Sequence, residues 1–253
     1  MNTVRLVGGP TTLIEIGGLR LLTDPTFDPP GPYPIGGRTL EKTRGPAVPA
    51  AEIGAVDAVL LSHDQHPDNL DAAGREFLAA APVVLTTAAA AERLGGTARE
   101  LPSWRHHTLT RPGGGELRVT GVPAQHGPDG TTDLTGPVTG FVLTGDGLPT
   151  VYVSGDNASL PIVQSVVDHL GPIDVAVLFA GGARTPLLDA YLTLTNELAA
   201  RAAAILRPAR VVPAHTEGWG HFSADRTGLP AAFARHGTTD QLVLLEPGGS
   251  TAF

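Results

Sequence analysis

Cysteine is absent from all 253 residues. This excludes disulfides, cysteine-ligated metal sites and a thiolate nucleophile, and it fits a reducing compartment. Basic residues are few, 17 against 25 acidic ones, for a net charge of −8. No basic run exists that could neutralise a phosphate backbone, so nucleic acid is not an expected partner. No apolar stretch reaches membrane-spanning length, no basic or apolar docking segment stands out, and Met1 to Pro10 lacks a signal-peptide core. No membrane partner and a cytoplasmic location are the resulting expectations. Hydrophobic residues make up 42% and charged residues 17%, the balance of an ordinary globular chain able to bury a substantial core. Nothing in the chain speaks to oligomeric state.

What is present is a dense polar cluster. Ala55 to Leu61, apolar except for Asp57, predicts a buried strand, and Ala72 to Leu78 predicts a helix. Between them stand His63, Asp64, His66, Asp68, Asn69 and Asp71. The cluster therefore lies at the carboxyl end of a strand, where open sheets tend to keep their sites. Imidazoles and carboxylates, with no cysteine, suit a divalent metal; a polar loop with a capping Asp is the plainer alternative. Three further strand ends weaken that alternative, each delivering a ligand-type side chain. Leu117–Ala124 leads to His126, Thr150–Ser154 to Asp156, and Arg210–Ala214 to His215.

The rest of the chain frames these ends. Thr11–Ile16 and Leu19–Thr23 flank Gly17-Gly18 and predict a hairpin. Asp24, before Pro25, reads locally as a turn residue; the other use is as an acceptor behind a metal-bound His. Residues 25–50 hold seven prolines and predict a long irregular loop, suited to walling a pocket, with nothing catalytic in it. His106 and His107 point to opposite faces of a strand and read as surface or edge residues. Helices are predicted over Leu160–Leu170, Asn196–Leu206 (capped by Thr195) and Pro230–His236, and a last strand over Leu242–Leu245. Arg184 reads as a solvated arginine or an anion binder, Trp219 as packing, and His221 as a pocket donor or a surface residue. Strand-rich segments with interleaved helices occur twice. That pattern predicts one α/β domain of two similar halves, about 1–135 and 136–253, sharing a core.

Taken together and in register, five segments resemble the metallo-β-lactamase fold hydrolases. They are Leu21–Pro25, Leu61–His63 with Asp68–Asp71, Pro123–His126, Tyr152–Asp156 and Val212–His215. The resemblance is to the branch containing L-ascorbate-6-phosphate lactonase and N-acylphosphatidylethanolamine phospholipase D. It implies a four-layer αββα sandwich. It also implies one ion on His63, His66 and His126, a second on Asp68, residue 69 and His215, and Asp156 bridging. The family signature, His-x-His-x-Asp-His, is broken twice here. Anchoring on the strand makes His63 the first ligand with one residue inserted; anchoring on the helix puts Asp64 in that place. The strand favours His63, and Asp64 stands as the rival. Asn69 occupies the last His position under either registration, and an amide oxygen is a poor ligand beside imidazole. One tightly held ion, zinc first and manganese second, is therefore expected, with a second site weak or absent.

The chemistry implied is hydrolysis of a small-molecule ester, lactone, amide or phosphoester by a metal-bound hydroxide. Asp68, His66 and His221 are the candidate catalytic residues, with Asp68 orienting water or taking its proton. Ser154 lacks a nucleophile-elbow motif, so no serine nucleophile competes. A metal-dependent lyase, isomerase or cyclase step on the same fold is the alternative.

Overall fold

The computed structural model describes residues 1–253. Its strands form two main sheets, packed face to face. The first runs, in spatial order, Ser250–Ala252, Thr3–Gly8, Thr11–Ile16, Leu19–Thr23, Ala58–Leu60, Val84–Thr86 and Ala98–Glu100. The second runs Arg210–Ala214, Val175–Phe179, Val151–Val153, Thr139–Thr144, Glu116–Pro123 and His106–Thr110. Val151–Val153, Val175–Phe179 and Arg210–Ala214 pair in parallel. All but Arg210 of these residues are buried, as expected of parallel strands covered on both faces.

Three apolar clusters define the layers. Leu6, Leu21 and Leu60 of the first sheet meet Phe141, Val153 and Val212 of the second between the sheets. The outer face of the second sheet, with Tyr152 and Leu178, is covered by the helices Leu160–Leu170, Asn196–Leu206 and Leu229–Arg235. The outer face of the first, with Leu22, Val59 and Val84, is covered by Ala72–Leu78 and Ala88–Leu94. The result is the αββα sandwich. Alanines at 199, 200, 202 and 203 let their helix lie close on the sheet, and Thr195 caps it by accepting from Leu198 N.

Residues 106–123 pair in the second sheet, so the chain changes sheet near residue 105, and Ser250–Ala252 returns to the first. Two expectations differ from what is found. Leu242–Leu245 is not a strand. It touches the strand Arg210–Ala214 through Val243 N to Val211 O, and the last strand is Ser250–Ala252, beside Thr3–Gly8. Residues 25–50 are not an irregular loop throughout: Gly31–Ile35 and Arg38–Lys42 form a hairpin. Its turn residues, Gly36 and Gly37, have φ of 49° and 77°, the left-handed pair that a tight hairpin turn requires. Pro32 and Pro34 are tolerated because both sit exposed on a two-stranded ribbon with no further neighbour. No helix is long and apolar enough to cross a membrane.

Tyr152 is fully buried beneath the outer helices, and its hydroxyl has no protein partner. Burial alone pushes the phenol pKa well up. An unpaired buried hydroxyl costs about 1–3 kcal/mol. Tyr152→Phe is therefore expected to raise Tm by about 2–12 °C in thermal denaturation. A fall in Tm would mean that the hydroxyl is satisfied.

Candidate metal centre

The predicted ligand residues lie on one rim of the sandwich, where strands of both sheets end. His63 follows Ala58–Leu60, His126 follows Glu116–Pro123, Asp156 follows Val151–Val153 and His215 follows Arg210–Ala214. Backbone bonds hold the two sheets' ends against each other: Thr139 N donates to Ser62 O at 3.1 Å, and His215 N to Gly9 O at 2.6 Å. Gly155 makes the tight approach possible. Its φ is +55°, and a Cβ there would stand 2.9 Å from Ser62 Cβ across the sheets and 2.4 Å from the Thr139 carbonyl oxygen.

Two groups of ligand-type atoms result. His63, His66 and His126 form one, and Asp68, Asp156 and His215 the other; within each group the candidate ligand atoms lie within 4.8 Å of one another. The groups adjoin, since Asp156 Oδ2 is 4.0 Å from His63 Nε2 and 3.5 Å from His126 Nδ1. Asp64 belongs to neither. Its carboxylate is buried and turned to Arg93 and Arg75, which supply the charge that a burial this complete demands. Of the two rivals for first ligand, His63 is the one that joins the cluster. Asn69 is buried beside it, donating from Nδ2 to Asp156 Oδ1 at 3.1 Å.

The hydrogen bonds behind the imidazoles free the nitrogens that face one another. Asp24 Oδ1 accepts from Ser62 N (2.9 Å) and Ser62 Oγ (2.6 Å), and Ser62 Oγ lies 2.8 Å from His63 Nδ1. With the hydroxyl donating to Asp24, its oxygen accepts from His63 Nδ1–H, which leaves the Nε2 lone pair facing the cluster, where it accepts from His66 Nδ1–H at 2.9 Å. Asp24 is thus the acceptor behind a histidine, acting through Ser62, and the local turn reading of its sequence was the lesser of its two uses. His126 Nδ1 donates to the Leu192 carbonyl at 2.9 Å, which frees its Nε2 in the same way.

Burial, helped by the neighbouring His66 and His126, pulls the His63 pKa well below the ordinary imidazole value; burial and His126 pull His66 down to about 4. Neutral imidazoles are what a cation needs. Burial works to raise the Asp68 pKa, but His221 and His215 outweigh it and carry the carboxyl well below its usual range. Burial works to lower His215, and Asp156 and Asp68 overcome it in turn. His215 Nε2 stands 3.3 Å from Asp68 Oδ2, and His221 Nε2 3.0 Å from the same oxygen.

The donor set fits a divalent cation. Asp156 Oδ2, Asn69 Oδ1 and both His215 nitrogens are buried with no aligned hydrogen-bond partner, whereas the large majority of buried polar atoms have one. Three imidazoles next to two carboxylates and a fourth imidazole is also the chemistry that zinc or manganese accepts.

His66, Asp68, His126 and His221 line a cavity of about 40 Å³. Its other walls come from two hairpins, Gly31–Lys42 and the pair Arg184–Thr185 with Leu188–Tyr191. The reading of residues 25–50 as a pocket wall names neither the hairpin nor Ile35, Arg38 and Leu40, which do the lining; the Gly36-Gly37 pair is the signal for them. Arg184 lines the cavity too, while its guanidinium pairs with Asp189 in solvent. Trp219 is buried against Tyr33, with Lys42 5.5 Å from its ring. His106 and His107 stand on the edge strand His106–Thr110, away from these groups.

Comparison with known proteins agrees with this fold. The Beta-lactamase superfamily domain matches residues 19–216. A UPF0173 metal-dependent hydrolase of Pyrococcus furiosus is 31% identical over 136 residues, covering 53% of this chain and 55% of that protein. The chain spans about half the length of several relatives of this name. One of them, from Pyrobaculum aerophilum, is matched more fully: 30% identity over 217 residues, 84% of this chain and 83% of the relative. Among solved structures, an isothiocyanate hydrolase from Delia radicum gut bacteria superposes with a TM-score of 0.83 at 23% identity, covering 99% of both chains. Sequence match and fold therefore point the same way, and the chain belongs to the beta-lactamase superfamily.

Proposed function

We propose that the protein is a metal-dependent hydrolase of a small molecule, cutting an ester, lactone, amide or phosphoester bond. The observation that carries this reading is the convergence of two buried ligand-type groups on one small cavity. The relatives named as metal-dependent hydrolases support it. His63, His66 and His126 would hold the tighter ion. Asp68, Asp156 and His215 would hold a second one weakly, because Asn69 spends its amide N–H on Asp156 where the family pattern has an imidazole. When bound, a divalent ion supplies Lewis acidity toward a substrate oxygen and lowers the pKa of water.

The chain's own residues do the rest. Asp68, ionised and held by two imidazoles, orients water and accepts its proton. With Asp68 accepting from His221 Nε2–H, His221 Nδ1 is left as the atom that takes or returns a proton; it has no protein partner, and its side chain lines the cavity. Ile35, Leu40, Ala183 and Leu192 exclude bulk water from the reacting atoms.

The test is elemental analysis and chelation, followed by reloading with zinc or manganese and assay on a panel of esters, lactones and phosphodiesters. One retained ion per chain is expected, with hydrolysis lost on chelation and restored on reloading. Two tightly held ions would overturn the single-ion assignment, and an inert loaded protein across the panel would overturn hydrolysis.

A further inference from the structure

Two cations line the cavity, and they differ in one respect. Arg184 is neutralised, its Nη2 2.6 Å from Asp189 Oδ1, and it lies over the Tyr191 ring. Arg38 has no carboxylate within 4.0 Å. A single guanidinium N–H has a protein partner, Nη1 donating to Thr185 Oγ1 across the cavity mouth. Arg38 is half-buried and follows directly on the Gly36-Gly37 turn, so the hairpin delivers it over the cavity at a fixed position. Of the two cations lining the cavity, Arg38 is the one left without a counter-charge. Its planar fork of N–H donors matches a carboxylate or a phosphate. The neighbouring surfaces of Ile35, Leu40, Ala183 and Leu192 are apolar.

We propose that Arg38 is a specificity residue that receives an anionic group, carboxylate or phosphate, at the end of the substrate remote from the bond that is cut. The substrate class is then a small molecule with a short apolar middle and one anionic terminus. This rests on the hydrolase reading of the same cavity. Arg38 does not touch the reacting atoms; it selects and positions what enters.

Two measurements on the metal-loaded protein test the assignment separately from hydrolysis itself. In the first, the 4-nitrophenyl monoester of succinate is compared with 4-nitrophenyl butyrate. Arg38→Gln is expected to raise KM for the anionic ester about tenfold more than for the neutral one, with Arg38→Lys recovering part of the difference. Equal changes for both esters would reduce Arg38 to a strut between the hairpins and overturn the proposal. In the second, calorimetry follows binding of succinate, methyl phosphate and the neutral succinamide. Tighter binding of either anion than of succinamide, weakened about tenfold in Arg38→Gln, is the expected result, and the stronger anion identifies the terminus. Anion affinity unchanged in Arg38→Gln overturns the proposal even if no ester is hydrolysed, whereas absent hydrolysis with Arg38-dependent anion binding overturns only the reaction.

Discussion

His221→Gln is expected to lower kcat by roughly 10²–10⁴ while metal content stays at the wild-type level. His221 is placed by the segment after the strand Arg210–Ala214, with Nε2 on Asp68 Oδ2, Nδ1 buried without a protein partner, and its side chain among those lining the cavity. Glutamine can keep the hydrogen bond to Asp68 through its amide, so the carboxylate is still held. It has no nitrogen that can take up and release a proton near neutral pH. The variant therefore separates proton transfer from positioning. Asp68 also keeps its contact with His215, which limits any collapse of the site. An unchanged kcat would remove His221 from the reaction, and loss of metal would reassign its Nδ1 to the cation.

The parts of this molecule legible in its sequence were those set by local periodicity. Apolar runs such as Val175–Phe179 announce buried strands, and the polar residue that ends each run marks the rim, which is how His126, Asp156 and His215 were picked out without a three-dimensional guide. What stayed hidden depended on contacts between distant segments. The choice between His63 and Asp64 turns on Arg93, 29 residues downstream of Asp64, which draws that carboxylate away from the cluster. Asp24 looked like a turn residue because its acceptor role runs through Ser62, 38 positions later. Nothing local marks the sheet change near residue 105, because the short strands before and after it are alike in character. The hairpin Gly31–Lys42 was masked by its prolines, which argue against a strand in any sheet interior but not on an exposed ribbon. Its contribution to the cavity follows from where its base is tied.

That base is the site of the last prediction. Lys42, at the end of the hairpin, and Asp71, the cap of the helix Ala72–Leu78, form an ion pair at 2.9 Å with side chains only 3% and 0% exposed. Asp71 also accepts from the backbone N–H of Phe27, Asp28 and Gly74. One carboxylate thus fastens the hairpin, the chain leading into it and the helix that follows the Asp68–Asn69 turn. Removing one partner of a buried pair leaves an uncompensated charge and costs about 3–5 kcal/mol. Lys42→Met keeps the aliphatic stem beside Trp219 and deletes only the charge. The three backbone donors soften the loss, so about 3 kcal/mol is expected, a fall in Tm of about 6–12 °C for a chain of this size. Asp71→Asn in the same background is expected to recover part of it, because the asparagine oxygen still accepts from Gly74 N and Phe27 N and no bare carboxylate stays behind; the recovery is partial because Asp28 N–H then faces the amide NH2 and loses its acceptor. The two substitutions should therefore be strongly non-additive in a double-mutant cycle. A Tm within experimental error of wild type for Lys42→Met would show that the pair carries no net stability. If it does carry stability, loosening the hairpin displaces Ile35, Arg38 and Leu40 together, so KM should rise in Lys42→Met while the ion held by His63, His66 and His126 is retained.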